Sequence, residues 1–208
     1  MTRETILPSV QSLPLMESFY TIQGEGFHQG KAAYFIRLGG CDVGCVWCDV
    51  KESWDASAHP LRSVTDMVIQ AKKFPARIAV VTGGEPLMHD CLALTEELQA
   101  AGFQTHIETS GAYPVSGHWN WICLSPKKFK QPLPGPIEKA DELKVVIYHP
   151  SDFLWAESYA ERVKPGCKLF LQPEWSKREI VTPLIADYIM ENPQWEFSLQ
   201  LHKYIMVP

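Results

Sequence analysis

The chain has 208 residues, of which 46% are hydrophobic and 21% charged, a composition typical of globular proteins. A chain of this length usually forms one compact unit, so we expect a single domain over residues 1–208, with residues 1–14 as an N-terminal extension. The formal net charge of −5 argues against a general nucleic-acid binder or a protein of anionic membrane surfaces, because both favour a basic face.

The sequence offers no segment for membrane insertion or secretion. Its apolar runs fall short of the ~18 residues of a membrane span. The N-terminal segment mixes Arg3, Glu4, Pro8 and Pro14 where a secretory signal would have an apolar core. We therefore expect a cytoplasmic protein with no membrane partner, in which the cysteines stay reduced.

Apolar, β-rich runs alternate with helical patterns along the chain. Strands are predicted at 33–38, 78–82, 103–109, 119–125, 142–148, 168–173 and 196–201. Helices are predicted at 63–74, 90–102 and 151–163, and within 177–191, with Pro183 as a possible new start. Ser63 and Asp66 resemble a capping box, and Gly102 is placed to end the second helix. The Pro- and Gly-rich segment 130–136 predicts a surface loop.

Alternating strands and helices predict an α/β fold whose sheet is mostly parallel, with right-handed crossovers. The chain is shorter than the ~250 residues of a complete eight-fold barrel, so we expect an incomplete, partial TIM-type barrel. Polar motifs follow the predicted strands at 82–86, 108–111, 125–127, 172–175 and 201–204. Because active sites in such folds lie at the carboxyl edge of the sheet, these motifs are expected to meet in one pocket.

Cys41, Cys45 and Cys48 lie within eight positions, in the pattern C-x3-C-x2-C. This spacing leaves two interpretations open. One is a structural zinc site completed by a distant fourth ligand, although zinc ligands usually come as two pairs. The other is a [4Fe–4S] cluster with one iron left free for a non-protein ligand. The remaining cysteines are expected to pack as small buried hydrophobic groups: Cys91, Cys123 and Cys167.

The cysteine pattern, with the aromatic Trp47 before its last member, resembles the signature of the radical S-adenosylmethionine superfamily. "TGGEP" at 82–86 is similar to the superfamily motif that binds the methionyl amine. The resemblance implies the radical SAM fold, a [4Fe–4S] cluster held by Cys41, Cys45 and Cys48, and S-adenosyl-L-methionine on the free iron. Two glycines suit this role because they let backbone carbonyls approach a cation closely.

A narrower resemblance spans nearly the whole chain. "FYTIQGEG" (19–26), "ETSG" (108–111), "DELKVVI" (141–147) and "LQLHKYIMVP" (199–208), in that order, are similar to the 7-carboxy-7-deazaguanine synthase family. This family implies radical ring contraction of 6-carboxy-5,6,7,8-tetrahydropterin with loss of ammonia, in queuosine and 7-deazapurine biosynthesis. Alternatives are a glycyl-radical activating enzyme, which shares the cysteines and the GGEP motif, and a non-catalytic metal-binding module.

Site residues follow from the family resemblance, position by position. The implied cofactor contacts are Trp47, Cys48, Asp49, Gly84, Glu85, Ser110, Ser125, Pro126, Lys127 and Gln172. The implied substrate contacts are Ile22, Gln23, Gly24, Glu25, Arg37, Thr82, His202 and Pro208. The resemblance also implies a homodimer and a flavodoxin-like or other electron donor.

The residue types suit a pterin substrate. Gln23, Glu25 and the carboxylate of Pro208 can accept the guanidine-like donors of a pterin edge, and Arg37 matches the geometry of a substrate carboxylate. Taken alone, Arg37 fits a surface ion pair equally well. His202 could likewise be a packed core histidine, and the "DELK" lysine, Lys144, could be a strand-edge charge.

One position departs from the family pattern. Many members carry Thr after the Cys-Asp pair, where its hydroxyl helps to hold Mg²⁺, but this chain has Val50, which offers no oxygen ligand. The metal is then either bound by substrate, a backbone carbonyl and water, or not used. Lys51 is a candidate for supplying positive charge in its place.

Overall fold

The computed structural model describes residues 11–208 as an α/β fold around a nine-stranded sheet with the strand order β3-β1-β2-β4-β5-β6-β7-β8-β9. Most of the predicted N-terminal extension, residues 1–10, lies outside the described part. β1 (Ser12–Ile22) begins within the last residues of that predicted extension and includes Pro14. Within residues 11–208, no helix is long and apolar enough to cross a bilayer.

The first three strands are antiparallel. β1 pairs with β2 (Ala32–Leu38) on one side and with the short β3 (Leu61–Ser63) on the other. Neither β1 nor β3 is predicted from sequence, because β1 mixes polar residues with a proline and β3 is too short to show a pattern. Pro14 is tolerated because it lies near the sheet edge, opposite Leu61.

The remaining strands continue the sheet in parallel from β2. They are β4 (Ile78–Gly83), β5 (Gln104–Thr109), β6 (Trp121–Leu124), β7 (Glu142–Ile147), β8 (Lys168–Pro173) and β9 (Trp195–Phe197). Each falls on a predicted strand. The prediction of a mostly parallel α/β sheet is confirmed, and in the described part of the chain the sheet stays open between β3 and β9.

The helices are α1 (Val64–Ala71), α2 (Leu92–Ala100), α3 (Pro134–Lys139), α4 (Asp152–Ala160), α5 (Arg178–Glu191) and α6 (Leu201–Ile205). The predicted cap of α1 is confirmed, since the Ser63 hydroxyl accepts the Asp66 N–H at 3.1 Å. Gly102, with a φ of +88°, follows the end of α2 as expected.

Three local predictions are wrong. α3 begins inside the predicted loop 130–136, because Pro134 is favourable in a first helical turn, where no N–H partner is needed. α5 runs from Arg178 through Pro183 without a new start. The last predicted strand stops at Phe197, and Leu201 begins α6, so a helix and not a strand precedes Pro208.

Two apolar cores support the sheet edge that carries the site. Leu38 and Leu98 belong to the first, where β2 and β4 pack on α1 and α2. Leu143 and Ile185 belong to the second, beneath α4 and α5. The cysteines predicted as packing groups are found in such places: Cys91 in the first core, Cys167 against the second, and Cys123 buried in β6.

Candidate active site

A cavity of about 280 Å³ opens at the carboxyl edge of the parallel strands. Every polar motif that follows a predicted strand contributes to its wall, which confirms that these segments converge. The motif residues lining it are Thr82, Gly83, Gly84, Glu108, Thr109, Ser110, Ser125, Lys127, Gln172, Pro173, Glu174, Trp175 and His202. The order of the strands in the sheet brings these separated segments together.

The segment Gln23–Gly26, here called the QGEG loop, begins the connection from β1 to β2 and forms one side of the cavity. Its start is fixed by two backbone bonds, from Gln23 N to Lys31 O and from Gly30 N to Gln23 O, both 2.8 Å. The Gln23 side chain donates to the Glu108 carboxylate at 2.9 Å. The predicted substrate contacts Ile22, Gln23, Gly24 and Glu25 all line the cavity.

Lys144 on β7 is the buried positive charge of this cavity. Its ammonium forms ion pairs with Glu25 and, at 3.2 Å, with Glu108, while only 4% of its side chain is exposed. Gln200 donates to the other oxygen of Glu25 at 3.0 Å. Lys144 is therefore a site lysine and not a strand-edge charge.

The pairing sets the charges of both partners. Burial disfavours ionised Glu25, but the Lys144 ammonium outweighs this effect and lowers the pKa of Glu25 to about 2. Burial likewise opposes the charge of Lys144, yet the Cys123 thiol and the carboxylates of Glu108 and Glu25 raise its pKa well above the ordinary value. The cavity therefore holds a fixed carboxylate–ammonium pair.

The C-terminal segment closes the cavity beside the QGEG loop. Leu201 N donates to Gly24 O at 2.8 Å, and the Thr21 hydroxyl donates to the Pro208 carbonyl at 3.0 Å. A Cβ on Gly24 would lie 2.2 Å from Nδ1 of His202, so only glycine lets this ring pack so closely. His202 and Pro208, two of the predicted substrate contacts, both line the cavity.

Arg37 forms an ion pair at the surface and also lines the cavity. Its Nε donates to the Glu17 carboxylate at 2.6 Å, and its guanidinium lies 5.9 Å from the centre of the Phe19 ring. The side chain is 20% exposed and also lines the cavity, next to Thr82 of the adjacent strand. Arg37 is thus held by a surface ion pair while its guanidinium reaches the site.

Residues 39–50, here called the cysteine loop, bring the three predicted ligands together. Cys41, Cys45 and Cys48 share a small cluster with Val43, and all three line the cavity. Backbone bonds fix the start of the loop, since Gly40 N donates to Ser53 O at 2.6 Å and Cys41 N to Trp54 O at 3.0 Å. No group of three His, Cys, Asp or Glu side chains within residues 11–208 is arranged to hold a single metal ion.

The donor set fits an open iron–sulfur cluster. Cys91, Cys123 and Cys167 do not line the cavity, so among the described residues it receives three thiols. Three thiolates leave one iron of a cubane without a protein ligand. Burial raises the pKa of Cys45 to about 11, whereas nearby Lys127 acts in the opposite direction. Binding of a cluster therefore requires thiols to lose protons in a largely buried place.

The GGEP turn is bonded directly to the cysteine loop. Glu85 N donates to Gly40 O at 2.8 Å, and Gly84 N donates to Leu38 O at 3.1 Å. A Cβ on Gly84 would lie 2.3 Å from Gly40 O and 2.6 Å from the Cys41 Cβ. The glycine is therefore required by the close approach of the two segments.

Comparison with known proteins agrees with this geometry. The radical SAM superfamily model matches residues 35–122. The 7-carboxy-7-deazaguanine synthase of Flavobacterium psychrophilum is 59% identical, with 95% of this chain and 94% of that protein aligned. That of Synechocystis is 48% identical, with 94% of each chain aligned. The crystal structure of QueE from Escherichia coli has a TM-score of 0.81 at 34% identity, covering 92% of this chain and 95% of that chain.

This chain belongs to the 7-carboxy-7-deazaguanine synthase family. As a radical SAM enzyme of this family, it is a lyase that uses a [4Fe–4S] cluster and S-adenosylmethionine and acts on a small molecule. The predicted radical SAM fold is confirmed by the match to QueE. The alternative of a non-catalytic metal-binding module is thereby excluded.

Most predicted cofactor contacts of this family member line the cavity: Trp47, Cys48, Asp49, Gly84, Ser110, Ser125, Lys127 and Gln172. Lys127 donates to the Ser125 carbonyl at 2.7 Å and lies 5.7 Å from the Trp47 ring. The side-chain oxygen of Gln172 accepts a hydrogen bond from the Ser198 hydroxyl at 2.7 Å, so the amide nitrogen of Gln172 takes no part in this bond. Asp49 accepts from Lys203 at 3.0 Å.

Two predicted cofactor contacts do not line the cavity. The Glu85 side chain points inward and accepts from Leu87 N at 3.0 Å, Ser110 N at 2.8 Å and the Thr109 hydroxyl at 2.6 Å. Its carboxylate thus ties the GGEP turn to the end of β5 and has no surface toward the cavity. Pro126 is buried in the turn after β6. For both residues, sequence similarity gave the right motif but not the direction of the side chain.

The substitute charge expected of Lys51 is absent from the site. Lys51 is exposed, with its ammonium 6.0 Å from the Trp54 ring, and does not line the cavity. Val50 does line it. The prediction for Lys51 is wrong because the short helix Lys51–Ser53 turns its side chain outward.

Two site residues are missed by the sequence reasoning. Glu108 belongs to the "ETSG" motif but was not assigned a role, although it pairs with Lys144 and accepts from Gln23. Gln200 precedes α6 and bonds to Glu25. Position at the end of a parallel strand could have identified Glu108, whereas nothing in the pattern around Gln200 distinguishes it from a surface glutamine.

Proposed function

We propose that this protein converts 6-carboxy-5,6,7,8-tetrahydropterin to 7-carboxy-7-deazaguanine with loss of ammonia, in 7-deazapurine biosynthesis. The observation that supports it is one cavity that combines three thiols with the Lys144, Glu25 and Glu108 charge cluster. The three thiols suit a cluster and its cofactor, and the charge cluster suits a flat, polar substrate with donors along one edge.

In this proposal the cysteine loop holds the cluster through Cys41, Cys45 and Cys48. When bound, the cluster and S-adenosylmethionine supply a 5′-deoxyadenosyl radical for hydrogen abstraction from the pterin. The backbone at Gly84 binds the methionyl amine, and Ser110, Ser125 and Lys127 lie where polar groups of the cofactor would be held. Trp47 and Gln172 complete this wall.

The QGEG loop and the C-terminal segment orient the substrate. Gln23 and Glu25 accept the donors of the pterin edge, together with the Pro208 oxygen and His202. Arg37, beside Thr82, binds the substrate carboxylate, for which a guanidinium has the matching fork of donors. Holding the ring on several polar contacts excludes water and fixes the atom that reacts, which is the main contribution a protein makes to such chemistry.

The charge cluster also suits the acid–base part of the reaction. Ring contraction ends with departure of an amine and formation of a pyrrole, which needs a proton at the leaving nitrogen and removal of ring protons. We assign the proton exchange to Glu108, whose side chain is the more exposed of the two partners of Lys144 (23% against 15%), whereas the pKa of Glu25 is lowered to about 2. Lys144 stabilises the carboxylate charge of Glu108 after this residue has given up its proton.

We further propose a flavodoxin-like electron donor, a homodimer and a cytoplasmic location. Val46 in the cysteine loop is 69% exposed and Phe129 is 44% exposed. They form an apolar surface on which an electron donor can dock close to the cluster.

The proposed dimer follows from the family resemblance. The free cysteines fit a reducing compartment. If Mg²⁺ takes part, substrate, backbone carbonyls and water hold it, because Val50 offers no oxygen ligand.

The proposal is tested by anaerobic turnover. Reconstituted protein is incubated with reductant, S-adenosylmethionine and 6-carboxy-5,6,7,8-tetrahydropterin, with and without Mg²⁺, and products are identified by mass spectrometry. We expect 7-carboxy-7-deazaguanine and an equal amount of ammonia, without accumulation of 5′-deoxyadenosine. Consumption of S-adenosylmethionine without pterin turnover would instead favour a glycyl-radical activating enzyme.

A further inference from the structure

A second, much smaller cavity lies next to the active site, between the sheet and the connection from β1 to β2. Its volume is about 10 Å³, close to the minimum needed for one water molecule. Gln23, Glu25 and Glu108 line both cavities, so these side chains separate the small one from the site. The small cavity is bounded on its other side by His28 and His106, whose ring centres are 4.4 Å apart.

His28 has a fixed tautomer in this arrangement. Its Nδ1 lies 3.1 Å from the ammonium nitrogen of Lys31. An ammonium group only donates, so Nδ1 must accept, and a neutral imidazole then carries its hydrogen on Nε2. Burial, followed by the charge of Lys31, lowers the pKa of His28 to about 4, which keeps the ring neutral near pH 7.

The Nε2–H group of His28 is a buried donor without a partner among residues 11–208. An unsatisfied buried donor costs about 1–3 kcal/mol, and native structures satisfy nearly all such groups with protein or ordered water. The polar, water-sized cavity adjoins His28 and is also lined by carboxylates. These observations together identify a site for one small hydrogen-bond acceptor.

We propose that an ordered water in this cavity joins His28 to Glu108, so that Lys31, His28 and the water deliver a proton from solvent to the active site. This rests on the proposed function. The Lys31 ammonium gives a proton to Nδ1 of His28, the Nε2–H proton passes to the water, and the water gives a proton to the Glu108 carboxylate. Exposed Lys31 regains its proton from solvent, and exchange with water, in which Nδ1 releases a proton and Nε2 takes one up, restores the first tautomer.

The direction of transfer matches the balance of the reaction. The pterin and one proton give the deazaguanine and one ammonium ion, so each turnover takes up a proton. Glu108 passes this proton to the departing nitrogen and returns to its carboxylate form. A route through the smaller cavity supplies this proton without opening the active-site cavity to water, which would bring water to the radical intermediates.

The first test needs neither cofactor nor substrate. Histidine-¹⁵N NMR of the full-length protein should show His28 protonated at Nε2 and unprotonated at Nδ1. A crystal structure at high resolution should show one water within hydrogen-bond distance of His28 Nε2. A His28 ring protonated at Nδ1, or an empty cavity, overturns the relay whatever the enzyme's activity.

The second test is kinetic, with Lys31→Met and His28→Phe compared with Lys168→Met. Lys168 is a matched control, because its ammonium contacts the Phe27 ring at the same end of the sheet but not His28. Both relay variants should lower kcat for ammonia release on the order of tenfold, with KM unchanged and a changed solvent isotope effect. Wild-type kcat in Lys31→Met, which alters only an exposed side chain, contradicts the relay. A wild-type protein that makes no deazaguanine would instead contradict the proposed function.

Discussion

Lys144 and Glu25 form a buried ion pair between a strand of the sheet and the loop that closes the active site. The residues are far apart in sequence, and the pair exists because β7 and the QGEG loop face each other across the cavity. Lys144 also donates to Glu108 at 3.2 Å, and Gln200 donates to Glu25 at 3.0 Å. The pair therefore links the position of the loop to the interior of the sheet.

Replacing Lys144 should destabilise the fold strongly. In Lys144→Met, two partly buried carboxylates lose their counter-charge, and we expect the free energy of unfolding to fall by about 3 kcal/mol, the lower end of the range for buried pairs. Adding Glu25→Gln to this variant should restore part of the loss, because one unpaired charge is removed. Urea unfolding of the two single variants and the double variant measures the coupling. Additive losses would show that the two side chains do not interact.

Adding a methyl group at Gly84 should disturb iron binding. The new Cβ of Gly84→Ala would press on Gly40 O and the Cys41 Cβ, so the cysteine loop must move. We expect clearly lower iron content and weaker visible absorbance after anaerobic reconstitution. Gly135→Ala is the matched control, because its Cβ meets no atom within 4 Å, and it should bind iron as the wild type does. Equal iron content in both variants would contradict the close packing.

Each thiol of the cysteine loop should be needed for the cluster. Cys41→Ala, Cys45→Ala and Cys48→Ala should each reduce bound iron to a small fraction of the wild-type amount. Cys167→Ala serves as the control, since Cys167 packs against the second core and does not line the cavity. Electron paramagnetic resonance of the reduced wild type should change when S-adenosylmethionine is added. An unchanged spectrum would mean that the free iron is already occupied.

Buried His106 should make stability depend on pH. Burial, with smaller effects from His28 and Lys31, lowers its pKa to about 4 from 6.5. As the pH falls, the unfolded chain therefore binds a proton on this histidine before the folded protein does. The stability that the neutral His106 ring gives the folded state is complete above about pH 6.5 and is lost toward pH 4. Between pH 7 and pH 5 the loss is about 2 kcal/mol for this ring.

His106→Phe should remove that part of the pH dependence. As the pH falls, the unfolding free energy of the wild type should therefore decrease more than that of the variant. Anaerobic urea titrations at several pH values measure it. Parallel curves for the two proteins would show that His106 titrates as an ordinary exposed histidine.

Much of the fold follows from local sequence patterns. Several parallel strands, such as β4 and β6, contain continuous apolar runs, and burial on both faces of a sheet produces that pattern directly. The Ser63 cap and Gly102 mark helix ends through side-chain and backbone properties that act within a few residues. β1 was missed because its pairing with β2 and β3, and not its own composition, makes it a strand.

By itself, the sequence determined the parallel α/β fold, the family and the three thiols, because each is visible in apolar runs or in short motifs and their order along the chain. Only the tertiary structure decided that Glu85 points into the interior, that Lys51 points outward, and that Lys144, Glu25, Glu108 and Gln200 form one cluster. The direction of a side chain and the partner of a charge are set by segments distant in sequence, and the free energy of burying a charge depends on that whole environment.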